Sequence, residues 1–141
     1  MSINYQNSLR NITGEQLSHF CVGWKYPING AEMYEILNNS YRFVLALDDS
    51  KVVGFVNSLS DGLKFAFIPM LEVLPDYKKQ GIGSNLLKIL FNELNHIQNI
   101  DLTCDVELQK FYDKFGMLKS NGMVFRKYLS KEEIEWYKNN T

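Results

Sequence analysis

The chain has 141 residues and a mass of 16.4 kDa, the size of one ordinary domain. At this length roughly 68–70% of the unfolded surface is buried, so no disulfide or metal staple is needed. Hydrophobic residues make up 45% and charged residues 22%, which excludes intrinsic disorder, and a formal charge of −1 argues against a dedicated binder of nucleic acid or anionic membrane.

Residues 3–6 read as a short strand. Thr13 with Gln16 forms a capping box, predicting a helix that runs to about Val22 and stops at Gly23. Residues 24–27 form a loop, because Pro27 disfavours helix at Tyr26. A second helix covers 31–38. Residues 41–47 and 52–59 are β-rich around the turn Asp48-Asp49-Ser50-Lys51, a hairpin signature. After Ser60-Asp61-Gly62 comes an apolar stretch over 63–74 containing Pro69, which must sit at a strand start, an edge or a bulge.

From Gly81 the period becomes helical. Ile82, Leu86, Leu90 and Leu94, flanked by Leu87, Phe91 and Ile97, give one apolar face through about His96. A short strand over 100–104, a short helix over 107–115 closed by Gly116, and a strand over 123–129 follow. Ser130 with Glu133 boxes a last helix to about Lys138. Met117, Met123 and the C-terminal aromatics read as core or lid. The order predicts one α/β domain over 1–141 with a mixed sheet.

Cys21, Cys104, His19 and His96 are isolated from one another, so no zinc-ligand spacing exists and no metal is expected. The N-terminus lacks a signal-peptide pattern, and no apolar run approaches the ~20 residues of a membrane span. A cytoplasmic protein with reduced thiols, without nucleic-acid or membrane partners, is the expectation.

The informative stretch is Leu71-Glu72-Val73-Leu74-Pro75-Asp76-Tyr77-Lys78-Lys79-Gln80-Gly81-Ile82-Gly83-Ser84. An apolar strand ends at a proline, and a loop with two lysines leads into glycines that open a helix. Unpaired N–H groups at a helix start attract phosphate, and glycines let the backbone approach it closely. Neither a nucleotide P-loop nor a dinucleotide fingerprint is present. On the glycines alone, a plain strand–turn–helix junction with solvated lysines is the better reading, because Gly-x-Gly is a weak signal.

About thirty residues downstream stands Phe111-Tyr112-Asp113-Lys114-Phe115-Gly116-Met117. Together the two segments resemble the GNAT superfamily of acyl-CoA-dependent N-acyltransferases. Lys78-Lys79-Gln80-Gly81-Ile82-Gly83 is similar to its pyrophosphate loop, Arg/Gln-x-x-Gly-x-Gly/Ala. Phe111 to Met117 is similar to its later Phe-Tyr-x-x-x-Gly-Phe motif. Lys78 departs from the usual Arg or Gln, and Asp105 stands where many members carry an Asn seven residues before the tyrosine.

The resemblance implies a mixed, mostly antiparallel sheet with flanking helices and splayed strands at a cleft for acetyl-CoA. It implies that the backbone of Leu71, Val73 and Leu74 pairs with the pantetheine arm. Lys78, Lys79, Gln80, Gly81, Ile82, Gly83 and Ser84 would surround the pyrophosphate, and Asp105, Phe111 and Lys114 would lie near the cofactor. Tyr112 is the implied acid: a phenol with a pKa near 10 is protonated at pH 7 and can supply the departing thiolate. The alternative is a Tyr112 that packs beside Phe111 and only hydrogen-bonds to sulfur.

A primary amine is mostly protonated at pH 7, so a base is required. Glu72 is the leading candidate, with a solvated edge carboxylate as the alternative and Asp101 and Asp105 as rivals. Cys104 reads as a small buried apolar group rather than a nucleophile. The expected acceptor is a small, partly apolar amine met by Trp24 and Tyr26 on the loop between the first two helices. Arg126 and Tyr128, on the late strand, would form a polar edge. The alternative for Trp24 is a core plug that anchors the loop, and a lysine side chain of a protein as acceptor or a non-catalytic acyl-CoA sensor are the other functional readings. A monomer or homodimer is expected.

Overall fold

The computed structural model describes residues 2–141. Its contacts divide into two units, Met1–Thr103 and Cys104–Thr141. The first unit holds the whole sheet. Its strands are β1 (Ile3–Gln6), β2 (Arg42–Asp48), β3 (Lys51–Ser60), β4 (Phe65–Phe67), β5 (Leu71–Val73) and β6 (Asn99–Asp101), and its helices are α1 (Gly30–Asn38) and α2 (Ile82–Glu93). The second unit holds α3 (Gln109–Asp113) and α4 (Lys131–Asn140). No helix among the described residues is long and apolar enough to cross a membrane.

The sheet runs β1-β2-β3-β4-β6, with β5 also on β3. All its pairs are antiparallel except β4 with β6. The predicted hairpin forms as β2 and β3, closed by Asp49 in a left-handed turn (φ 53°). One sheet face takes α2, whose Leu86, Leu87, Leu90 and Leu94 are fully buried, as the four-residue recurrence requires. Met33 and Leu37 of α1, with Leu17 and Phe20, complete the buried core.

The predicted stretch over 63–74 is two strands. Pairing with β3 passes from Leu59↔Phe67 to Phe55↔Glu72, four steps along β3 and five along the other chain. The extra residue falls at Ile68-Pro69-Met70, so Pro69 occupies a bulge where its missing N–H breaks no ladder bond. Ile68 N–H still donates to the Asp101 carbonyl at 3.0 Å, and Asn57 N–H donates to the Met70 carbonyl at 3.2 Å.

Several expectations are corrected. The capping box at Thr13 exists, with the Thr13 N–H donating to Gln16 Oε1 at 2.8 Å, but it opens a single 3-10 turn over Gly14–Leu17, not a helix to Val22. Cys21 (φ 63°) and Gly23 (φ 84°) are left-handed, which ends any helical continuation. The long helix stops at Glu93, and residues 123–129 join no ladder. Their alternation has no sheet partner to express it. Met123 is 98% exposed and Trp136 and Tyr137 are exposed too, so these side chains are not core. The Ser130–Glu133 box does open α4, with reciprocal bonds of 3.1 Å.

Gly54 of β3 shows how tightly the sheet and α2 fit. A Cβ there would lie 3.1 Å from the Glu72 carbonyl oxygen and 3.1 Å from Leu86 Cδ1. Gly54→Val therefore overpacks the β3–β5–α2 junction and lowers unfolding stability by about 1–3 kcal/mol. Urea denaturation checks this, and an unchanged midpoint would show that the junction yields freely.

Candidate active site

Three features of the first unit converge around β5. The first is an open strand edge. Leu74 N–H donates to the Val53 carbonyl at 2.8 Å, and Asn57 N–H donates to the Met70 carbonyl, so residues 70, 72 and 74 direct their backbone groups at β3. By alternation, Leu71 and Val73 turn their N–H and C=O the other way. No strand takes them there, because β6 pairs only with β4, ending at Phe67↔Asp101. The sheet splays after the Pro69 bulge and leaves a backbone edge that needs partners.

The second feature is the start of α2. Pro75–Tyr77 forms a 3-10 turn, and Tyr77 is tied down by its hydroxyl, which donates to Asp48 Oδ2 at 2.7 Å. Lys79 (φ 62°) and Gly81 (φ 81°) are both left-handed, and no side chain caps the helix. The Gly81 carbonyl accepts from Asn85 N–H at 3.0 Å, so the N–H groups of Ile82, Gly83 and Ser84 have no intrahelical acceptor. A Cβ at Gly81 would meet nothing within 4 Å, so the space above the loop is open. Lys78, Lys79 and Gln80 are exposed around it.

The third feature is Glu72, half-buried on the β5 face opposite Val73. Its carboxylate accepts the Cys21 N–H at 3.1 Å (Oε1) and 3.0 Å (Oε2). The alternative of a freely solvated edge carboxylate is thereby overturned. Burial, then the charge of Glu72, pushes the Cys21 thiol up to about 11, so it stays protonated beside that carboxylate. Nothing in the sequence marks this contact, since the two residues are 51 positions apart. Trp24, three residues beyond Cys21, is 49% exposed and Tyr26 is exposed as well, so Trp24 is no core plug. The Trp24 N–H donates to the Cys21 carbonyl at 3.2 Å, and Lys25 Nζ lies 5.9 Å from the Tyr26 ring centroid.

In the second unit, Tyr112 of α3 is half-buried, edge-on to Phe111 with centroids 5.0 Å apart. Burial raises its phenol above the ordinary value, and the nearby Cys104 sulfur adds to the rise when ionised. Lys114 Nζ lies 5.3 Å from the Phe111 ring, and Gly116 (φ 82°) closes the helix as expected. Asp105 is exposed at the start of a 3-10 turn, its carbonyl accepting from Leu108 N–H at 2.9 Å. Arg126 and Tyr128 are exposed in an irregular segment and a turn, not on a strand.

An open backbone edge running toward an uncapped, glycine-opened helix start suits a long donor with amides at one end and a diphosphate at the other, which is the demand of an acyltransferase that uses coenzyme A. The residues present fit such a donor. Comparison with known proteins agrees. The acetyltransferase (GNAT) domain family matches residues 9–130. The ycf52 protein of Pyropia yezoensis, described as an uncharacterized N-acetyltransferase, is 30% identical over 124 residues, covering 82% of this chain and 70% of that protein. A crystal structure described as an acetyltransferase of Deinococcus radiodurans is 38% identical over 89% of each chain, with a TM-score of 0.86. A GNAT-family acetyltransferase of Streptococcus pneumoniae is 25% identical, covers 91% of this chain and all of its own, and has a TM-score of 0.72. The chain belongs to the GNAT N-acetyltransferase superfamily.

Gly83 sits in the first turn of α2, where an added carboxylate meets any bound diphosphate with bulk and like charge. Gly83→Glu lowers coenzyme A affinity on the order of a hundredfold, about 2.8 kcal/mol. Calorimetry on the folded variant reads it, and unchanged affinity would move the pyrophosphate elsewhere.

Proposed function

We propose that this protein moves an acetyl group from acetyl-CoA to the nitrogen of a small, partly apolar primary amine. The observation that carries the acceptor reading is the Cys21–Tyr26 loop, which grips Glu72 at one end and exposes two aromatic rings at the other. Trp24 and Tyr26 offer an apolar wall and a cation–π face to an amine arriving as its ammonium. Arg126 and Tyr128 lose the strand on which a polar edge was expected, so the acceptor reading rests on the loop aromatics.

In this reading Leu71 and Val73 extend the sheet onto the pantetheine amides, and the first-turn N–H groups of α2 take the pyrophosphate, with Lys78 and Lys79 adding positive charge. The thioester supplies an acyl carbon activated toward nitrogen. Glu72 accepts a proton from the ammonium, which frees its lone pair for attack. A carbon–nitrogen bond forms and the carbon–sulfur bond breaks; Tyr112 gives its phenolic proton to the departing thiolate, and the second proton that the nitrogen sheds as it becomes an amide restores the phenol. A phenol raised by burial stays protonated through the working range, which suits a donor. Both cysteines are free, consistent with a reducing, cytoplasmic setting.

The acid role is tested by Tyr112→Phe, which keeps the ring and deletes the proton. The expected result is a roughly ten- to ten-thousandfold loss of kcat with little change in coenzyme A affinity. Because the phenol's pKa is raised, its protonated form persists to higher pH, and the basic limb it contributes lies above that of an ordinary tyrosine. Full turnover in the variant would make Tyr112 structural.

A thiol-release assay with amines, polyamines, amino acids and lysine peptides tests the acceptor. Small aromatic or apolar amines should lead, and Trp24→Ala should raise acceptor KM roughly five- to thirtyfold, the range of a desolvated cation–π contact. Preference for lysine peptides over every free amine defeats the reading, as does an unchanged KM in folded Trp24→Ala.

A further inference from the structure

The contact between Cys21 and Glu72 joins residues that no sequence pattern relates. Cys21 is 1% exposed, and its backbone adopts φ 63°, a conformation that non-glycine residues enter rarely and at a cost. That left-handed turn aims the Cys21 N–H between the two oxygens of Glu72, at 3.1 and 3.0 Å. Burial and the adjacent Glu72 charge push the thiol up to about 11, so it stays protonated beside the carboxylate. Three side-chain torsions place the oxygens of a glutamate, and a donor shared by both oxygens restrains them together.

We infer that Cys21 is a positioning residue for Glu72, holding the carboxylate through its backbone N–H while its buried side chain pins the turn, and coupling the base to the loop that carries Trp24 and Tyr26. The inference rests on the reading of Glu72 as the base. Its physical ground is the shared donor. An N–H placed between both oxygens fixes where the carboxylate sits and how it faces an arriving ammonium. Around the carboxylate, the thiol is the facing titratable group. Phe55, its register partner on β3, and Phe20, edge-on to Phe55 at 5.0 Å, are apolar. His19, Lys25 and Tyr26 are the other ionisable side chains between positions 18 and 29, and all three are exposed.

Cysteine rather than glycine at a left-handed position also has a consequence for the acceptor loop. A glycine would adopt φ 63° without strain but would leave the loop free to swing. The buried side chain pins the turn, so the first residue of the aromatic loop and the base move as one piece. A misplaced base of even one ångström can cost about a hundredfold in rate.

The test compares Cys21→Val, Cys21→Ser and Glu72→Gln. Valine is β-branched and resists a positive φ, so the turn moves and the N–H leaves the carboxylate. Cys21→Val should lower kcat about ten- to a hundredfold with KM for acetyl-CoA unchanged. Cys21→Ser, whose small unbranched side chain fits the same turn, should recover kcat. The carboxyl carbon resonance of Glu72 at one fixed pH, assigned with Glu72→Gln, should move in Cys21→Val and return in Cys21→Ser. A folded Cys21→Val with wild-type kcat and a wild-type Glu72 carboxyl resonance overturns the inference. If that variant does not fold, Cys21→Ala removes the buried thiol that pins the turn, and an unmoved Glu72 carboxyl resonance in it overturns the inference equally. The two readings separate cleanly. An unaltered pH–rate profile in Glu72→Gln removes Glu72 as base, while the carboxyl resonance still decides whether Cys21 holds it.

Discussion

The constraint on which this structure turns is backbone hydrogen bonding along one broken strand. β4 satisfies both of its edges, one on β3 and one on β6, whereas β5 satisfies only the edge facing β3. The bulge at Ile68-Pro69-Met70 separates the two regimes. Had the strand run straight, β6 would have continued alongside it and the sheet would have closed. The bulge changes register by one residue and ends the parallel ladder at Asp101. Unpaired N–H and C=O groups inside a sheet are a liability unless something covers them, and a ligand with its own amides is the covering that the family's chemistry supplies.

Everything else in the first unit is arranged around that edge. α2 packs its leucine row beneath β2 and β3, which puts its uncapped N-terminus directly after the loop that leaves β5. Gly54 allows β3, β5 and α2 to meet without a side chain between them. Alternation along β5 then divides labour between its faces. Val73 turns toward α2, with its Cγ2 3.4 Å from the Cβ position of Gly54, while Glu72 turns toward Phe20 and Cys21. A single three-residue strand thus leaves a backbone edge open while presenting a carboxylate, held by Cys21, on one of its faces.

What the sequence made legible follows from how local each signal is. The helix of α2, the hairpin of β2 and β3, and the capping box at Ser130 rest on nearby residues, whereas the equally local Asn29–Glu32 box that opens α1 went unread. The glycine-opened start of α2 was legible because glycines, lysines and a helical period fall in one run. Pro69 announced an irregularity, since proline cannot serve a ladder. Three things were hidden. The Thr13 box promised a helix, but the left-handed turn at Cys21 is a tertiary outcome and cut it short. The alternation over 123–129 described a strand, but a strand exists only with a partner edge, and alternation carries no information about the partner. The grip of Cys21 on Glu72 spans the chain between an early loop and the sheet, and neither residue's neighbours foretell it.

The distribution of backbone strain carries this argument one step further. Among the described residues, the non-glycine positions with positive φ are Asn11, Cys21, Asp49 and Lys79. Asn and Asp tolerate that region through short polar side chains, and Asp49 closes a hairpin where such turns are usual. Cys21 and Lys79 have no such excuse. Each costs roughly 1–3 kcal/mol relative to a relaxed conformation, and each lies at the candidate site, one aiming an N–H at Glu72 and the other shaping the loop before α2. Lys79 also stands two residues before Gly81, which is left-handed as well. Successive turns of this kind curve the chain so that its N–H groups converge on one point, the geometry that anions favour. The two strained residues therefore do the same physical task at opposite sides of β5. At Cys21 the donor meets a fixed carboxylate, and at the α2 loop the donors open onto the space above Gly81, as the proposed diphosphate site requires.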